Sequence, residues 1–372
     1  MTDLFQRSIE LILQNQAPSG AYVASPNFAT YRYCWFRDGA FIAYAMNLVG
    51  EHTSAARFHD WAAAAINPRA DIVRRALMKT QRGEPLSGAD ILHTRYSLNG
   101  SEAPAGDWPN FQLDGFGTWL WALGEHRRLS NSSLPEKWVP EKWLNAALLV
   151  ADYLAALWPR PCYDCWEEAS DRVHTHTLAA IYGGLQAHTL LSGADHRTTL
   201  GEISRFLRDQ AMADGHFVKF VGSKDVDTSL LGLATPYAVV KPDDPVMQAT
   251  VSKIEADLRQ GGGLHRYITD TYYGGGEWVL LTAWLGWYYA QTGKRDKAES
   301  ALKWVEAQAD AQGQLPEQIP LTLNDPTYYT PWRERWGEIA RPLLWSHAEY
   351  IILYRMLYGP DADHLRRQAV FA

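Results

Sequence analysis

Only three cysteines stand among the 372 residues, too few to staple a chain of this size, and that scarcity suits a reducing compartment. Positive charge is not in surplus: Lys and Arg total 35 against 42 Asp and Glu, a formal net charge of −7. Such a balance gives no basic footprint for nucleic acid or anionic lipid. Long hydrophobic runs are missing too. The most apolar charge-free stretch starts at Trp278 and is interrupted by Gly286, Gln291 and Gly293, which fits a buried helix rather than a membrane span. The N-terminal stretch carries Asp3, Arg7 and Glu10 where a secretory signal needs an unbroken apolar core. A cytoplasmic protein with neither membrane nor nucleic-acid partners is expected.

Period-two strands are scarce, whereas apolar residues recur at helical spacing along most of the chain, as in Phe41, Tyr44, Ala45 and Leu48, or Leu144, Leu148, Ala151, Leu154 and Trp158. The pattern predicts about twelve helices, near 3–15, 38–49, 53–79, 114–129, 136–157, 174–191, 195–212, 226–233, 245–259, 277–292, 295–311 and 341–358. Between them, 80–113, 159–173, 213–225, 260–276 and 312–340 are long and rich in Gly, Pro, Trp and Tyr, and long ordered loops in a compact domain are commonly functional. Short turns alternate with these loops, which suits helix hairpins whose long loops gather at one end. No linker or repeat interrupts the chain, so one domain over 1–372 is expected.

What is abundant is aromatic: 16 Trp and 19 Tyr. Many sit in loops beside acids and arginines, in Tyr31 to Asp38 (with Trp35 and Arg37), Asp107-Trp108, Tyr163 to Glu168, Arg266 to Tyr273, and Trp332 to Trp336. Sugar rings suit such a lining, because their C–H faces pack on aromatic planes while their hydroxyls bond carboxylates and guanidinium groups. A Trp-rich core with ordinary ion pairs is the competing explanation.

Cleavage of a glycosidic bond needs one protonated carboxyl and one ionised carboxylate. Two loop glutamates stand out. Glu167 follows Trp166, an indole able to desolvate it and raise its pKa. Glu317 lies between Pro316, which stiffens the backbone, and Gln318, an amide able to hold a water.

Together these clusters resemble glycoside hydrolase family 15, the glucoamylase family, from residue 31 to about 346. Tyr31 to Asp38 resembles its first substrate-binding segment, with Arg37 and Asp38 where the family holds the outer hydroxyls of the terminal glucose. Trp108, Gln112 and Asp114 resemble the next block. Tyr163 to Glu168 resembles the general-acid block, with Glu167 as acid and Glu168 as sugar ligand. Arg266, Tyr267, Asp270 and Trp278 follow, then Pro316, Glu317 and Gln318 as the general-base segment, and Leu344, Trp345 and Ser346 behind it. The resemblance implies an all-α (α/α)6 barrel and inverting exo-hydrolysis that releases β-glucose from nonreducing ends, with no cofactor and no metal. With no accessory β-domain or starch-binding module expected, the chain is similar to compact bacterial isomaltose glucohydrolases, for which short α-1,6-linked oligosaccharides are the expected partners. Rival readings are α-1,4-glucoside or trehalose hydrolysis on the same fold, a silent sugar-binding protein, and an epimerase or lyase. No oligomeric state is indicated.

Weaker signals point elsewhere and lead nowhere. Cys162 and Cys165 have redox or zinc spacing but no second pair, so two loop thiols are expected. Gly261 to Gly263 and Gly274 to Gly276 precede no Gly-Lys-Ser/Thr motif, and neither a Gly-x-Ser-x-Gly elbow nor a His-Glu-x-x-His helix is present.

Overall fold

The structure, a computed structural model, describes residues 3–103, 108–130 and 139–368. By internal contacts the chain divides into two compact units. Met1–Asn15, Ala24–Arg32 and Ala211–Ala372 form the first; Gln16–Val23 and Tyr33–Gln210 form the second. Among the described residues no helix is long and apolar enough to cross a membrane.

The first unit opens with α1 (Leu4–Gln14), whose first turn is capped by Asp3 accepting from the Phe5 amide. All of α2 to α8 belong to the second unit: α2 (Phe36–Leu48), α3 (His52–Ile66), α4 (Ala70–Gln81), α5 (Asp114–Ser130), α6 (Glu141–Leu157), α7 (Thr175–Ser192) and α8 (Arg197–Gln210). Every residue of α2 is buried, and α5 and α7 are buried on most sides, whereas α4 buries only Val73 and Ala76 and α8 only Ile203 and Leu207. A helix apolar all round belongs inside, and a helix with one apolar stripe lies outside. Helices α5 and α7 cross at Gly117 and Gly184: a Cβ on Gly117 would fall on the Ala180 carbonyl, and one on Gly184 on the Gly117 backbone.

The remaining helices complete the first unit: α9 (Pro245–Leu258), α10 (Val279–Gln291), α11 (Arg295–Glu306), α12 (Tyr329–Trp336), α13 (Leu344–Tyr358) and α14 (Ala362–Gln368). Here α10 and α13 are the buried pair, packed on each other, with α1 and α11 against α13. A four-stranded antiparallel sheet of two-residue strands (259–260, 263–264, 277–278 and 318–319) ties the loops of this unit together.

Several expected elements differ. The helix over 53–79 is two helices, because Pro68 stands in the 3-10 turn Asn67–Arg69 between α3 and α4, and a prolyl ring cannot continue an α-helix. The segment 226–233 is a 3-10 helix, Thr228–Leu233, not an α-helix; it is capped by Asp227, and Pro236 follows close behind. Within 312–340, expected as loop, α12 forms without burying a single residue, so no apolar period announces it. At the far end α14 is an addition. The start expected at 136 for α6 falls partly on 136–138, outside the described residues, and α2 begins at Phe36, two residues ahead of expectation.

Candidate active site

In the second unit, strand 34–35 leads directly into α2, with Trp35 as the N-cap residue and Arg37 and Asp38 in the first turn. Both charged side chains are buried. Arg37 donates from Nη1 to Gln112 Oε1 at 3.2 Å and to Asp114 Oδ2 at 3.0 Å, and its Nε lies 3.6 Å from Asp38 Oδ2. That Asp38 oxygen accepts no hydrogen bond from the described residues although it is buried, a state that costs free energy unless a hydroxyl supplies the donor. Burial pushes the Asp38 carboxyl up to about 6, against the opposing pull of Arg37 and with further help from Glu167. The cavity here is walled by Trp35, Arg37, Thr94 and Gln112.

Glu167 belongs to the same cluster. The loop before it is closed by Asp164, whose Oδ1 accepts from the amides of Trp166 and Glu168 at 2.9 Å each, while the Glu167 amide donates to the Asp164 carbonyl at 2.9 Å. The loop places Glu167 at φ 69°, a left-handed backbone that non-glycine residues adopt at a cost and keep where surroundings enforce it. Trp35 Nε1 donates to Glu167 Oε1 at 2.7 Å. Burial raises the Glu167 pKa; Arg37 and the donors Trp35, Gln112 and Trp108 oppose the shift without cancelling it. Trp35, distant in sequence, thus supplies the indole N–H at 2.7 Å from the carboxyl, where the sequence offers neighbouring Trp166. Trp108 packs edge-on against Trp35, ring centres 5.9 Å apart; Asp107 lies outside the described residues.

Glu317 is in the first unit, just ahead of strand 318–319. Its amide donates to the Ala340 carbonyl at 3.0 Å and its carbonyl accepts from Val279 at 3.1 Å. Ser346 Oγ bonds the Pro316 carbonyl at 2.8 Å, and His347 receives the Leu315 amide at 3.0 Å, so the start of α13 holds this segment from behind. Tyr31, on the 3-10 turn Ala29–Tyr31, donates to Glu317 Oε1 at 3.1 Å, and its oxygen lies 2.9 Å from the Tyr272 hydroxyl. Burial, then Glu317, drives the Tyr272 pKa well up, which keeps that phenol protonated.

Arg266 forms a two-pronged pair with Asp270, Nε to Oδ2 at 2.8 Å and Nη2 to Oδ1, and its guanidinium carbon lies 4.9 Å from the Trp278 ring centre. Gln318 is engaged at both ends of its amide: Oε1 accepts from the Gly276 amide at 3.0 Å and Nε2 donates to the Tyr272 carbonyl at 3.2 Å. It staples the 272–276 loop to the strand that follows Glu317.

The second unit therefore gathers Trp35, Arg37, Asp38, Trp108, Gln112, Asp114, Glu167 and Glu168, and the first gathers Tyr31, Arg266, Asp270, Trp278, Glu317 and Gln318. Sequence reasoning did not single out Asp164, Tyr272, Tyr33 or Arg95. Asp164 and Tyr272 lie inside clusters that were noticed; Arg95 has no such signal, because its strand is two residues long.

Residues 2–327 match the profile of Glycosyl hydrolases family 15. The chain is 41% identical to the isomaltose glucohydrolase of Kribbella flavida, over 94% of this chain and 91% of that protein. A solved wild-type glycosidase superposes with a TM-score of 0.89 at 40% identity, covering 95% of this chain and 96% of the other. A bacterial glucoamylase complexed with acarbose shares the fold, with a TM-score of 0.72 at 20% identity over 95% of this chain and 55% of that one. The fold class is accordingly that of the (α/α)6 glycosidases, and the chain belongs to glycoside hydrolase family 15.

Proposed function

We propose that this glycoside hydrolase acts on short α-1,6-linked glucosides such as isomaltose, releasing β-glucose from the nonreducing end. The observation that carries the chemistry is Glu167, a carboxyl whose pKa burial raises and whose orientation an indole N–H fixes. Glu167 gives its proton to the glycosidic oxygen as the bond from C1 breaks. Glu317 takes a proton from water as the water oxygen bonds C1 from the opposite face, so configuration inverts. Arg37 and Asp38 hold the outer hydroxyls of the terminal glucose, the unbonded oxygen of Asp38 accepting from one of them. Tyr31, Trp35, Trp108, Glu168, Arg266, Trp278 and Gln318 complete the sugar-binding set.

The α-1,6 preference is supported by the 41% identity to an isomaltose glucohydrolase over nearly the whole of both chains. Three buried free cysteines, Cys34, Cys162 and Cys165, support a reducing cytoplasm. A single catalytic domain over 1–372 belongs to the same reading and predicts one cooperative unfolding transition in calorimetry.

The deciding experiment incubates the purified chain with isomaltose, maltose, trehalose and panose and follows released glucose with anomer resolution. Isomaltose should be cleaved fastest, with β-glucose appearing first. Faster cleavage of maltose or trehalose would move the linkage and leave the chemistry; α-glucose as the initial product would overturn inversion.

A further inference from the structure

Arg95 stands opposite Trp35 in the antiparallel pairing of strands 34–35 and 95–96, so the two side chains leave the same face. Its guanidinium carbon lies 3.5 Å from the ring centre of Trp108, 4.3 Å from that of Tyr33 and 5.5 Å from that of Trp35. The rings also touch each other, Tyr33 edge-on to Trp35 at 6.4 Å and Trp35 to Trp108 at 5.9 Å. Arg95 is only 8% exposed, so water does little to weaken these contacts. One planar cation thus joins three rings, and one of those rings donates to Glu167 at 2.7 Å.

We infer that Arg95 is a positioning residue for the general acid, clamping the Trp35 indole so that its N–H stays on Glu167 Oε1 through the reaction. The inference rests on the reading of Glu167 as the acid. With Oε1 occupied by the indole N–H, the transferable proton resides on Oε2. When that proton passes to the departing oxygen, the carboxylate left behind keeps its donor, so negative charge develops against a dipole already in place. The interaction strengthens as the bond breaks, which puts its loss in kcat rather than KM. Lysine is a poor substitute, since an ammonium is a point charge without the plane that spans several rings.

The test compares wild type, Arg95→Met, Arg95→Lys, Trp35→Phe and the Trp35→Phe/Arg95→Met double variant on two substrates. One is isomaltose or maltose, whichever the wild type cleaves faster; the other is α-glucosyl fluoride, whose leaving group departs without a proton. Arg95→Met should lose about 10–100-fold in kcat on the disaccharide with KM changed less than about threefold, and lie within about threefold of wild type on the fluoride. Arg95→Lys should fall between, which keeps the test valid if the methionine variant folds poorly. The double variant should lose little more than Trp35→Phe alone, as expected of two residues acting through one hydrogen bond. Equal losses on both substrates, or losses that multiply, would overturn the inference. Glu167→Gln is run alongside: if it fails equally on the disaccharide and the fluoride, the reading of Glu167 as acid is at fault instead.

Discussion

Glu167 and Glu317 are held by different means. Glu167 hangs from a loop closed by one aspartate, on a left-handed backbone, under an indole N–H and beside the Arg37 cation. Glu317 precedes a strand registered in a sheet, anchored from behind by α13, and accepts from a tyrosine hydroxyl. An acid has to keep a proton near neutrality, and at the half-buried Glu167 the cost of burial outweighs the opposing charge and donors. A base has to stay ionised, and an O–H donor favours that form. Of the two, Glu167, proposed here as the acid, is the more exposed to small displacements, because its loop is closed by the single side chain of Asp164 and its shortest side-chain hydrogen bond comes from Trp35.

The sharpest way to break this comparison is to remove each carboxylate. Glu167→Gln and Glu317→Gln should each cost about 10²–10⁴-fold in kcat on a disaccharide. On α-glucosyl fluoride Glu167→Gln should recover most of its rate and Glu317→Gln should not, since water still needs a base; steady-state kinetics on both substrates reads the contrast. Asp38→Ala comes next, with a loss of about 10–100-fold in kcat/KM for every glucoside, the value of a charge-assisted hydrogen bond to a hydroxyl. Unchanged kinetics there would remove Asp38 from the sugar-binding set.

Smaller again is Asp164→Ala, which frees the amides of Trp166 and Glu168 and should lower kcat about tenfold by loosening the acid loop. Asp164→Asn, which keeps Oδ1 as an acceptor, should restore most of it; an asparagine variant as poor as the alanine one would argue for charge rather than loop closure. No effect on catalysis is expected from Glu349→Gln, on α13. Glu349 is wholly buried, accepts from Trp345 Nε1 at 3.1 Å, and burial pushes its carboxyl up to about 8. The folded protein holds this proton where the unfolded chain, with its ordinary glutamate, has lost it. Stability therefore falls as pH rises from about 4.5 to about 8 and is level beyond, by on the order of 5 kcal/mol in all. The glutamine variant should lack that part of the slope in denaturant titrations at about pH 5 and pH 8, and parallel curves for the two proteins would refute it.

Local chemistry was legible where residue types cluster along the chain. Arg37 with Asp38, Trp166 with Glu167, and Pro316 with Glu317 announce themselves because rings and charges stand side by side in loops and recur in an order that resembles the family's blocks, and α2, α5, α10 and α13 declare themselves through apolar residues at helical spacing. The clamp of Arg95 on Trp108 and Trp35, the bond of Tyr31 to Glu317 across 286 positions and the break at Pro68 within one apolar pattern were not read. Two-residue strands carry no period, and an exposed helix such as α12 carries no apolar stripe. The sequence by itself determined the helical class, the net negative charge and the family of the active-site blocks, since each rests on composition or on residues within a few positions of one another. Which indole meets Glu167, which phenol meets Glu317 and which carboxyl has its pKa raised by burial depend on partners brought together from distant parts of the chain, and only the tertiary structure decided those.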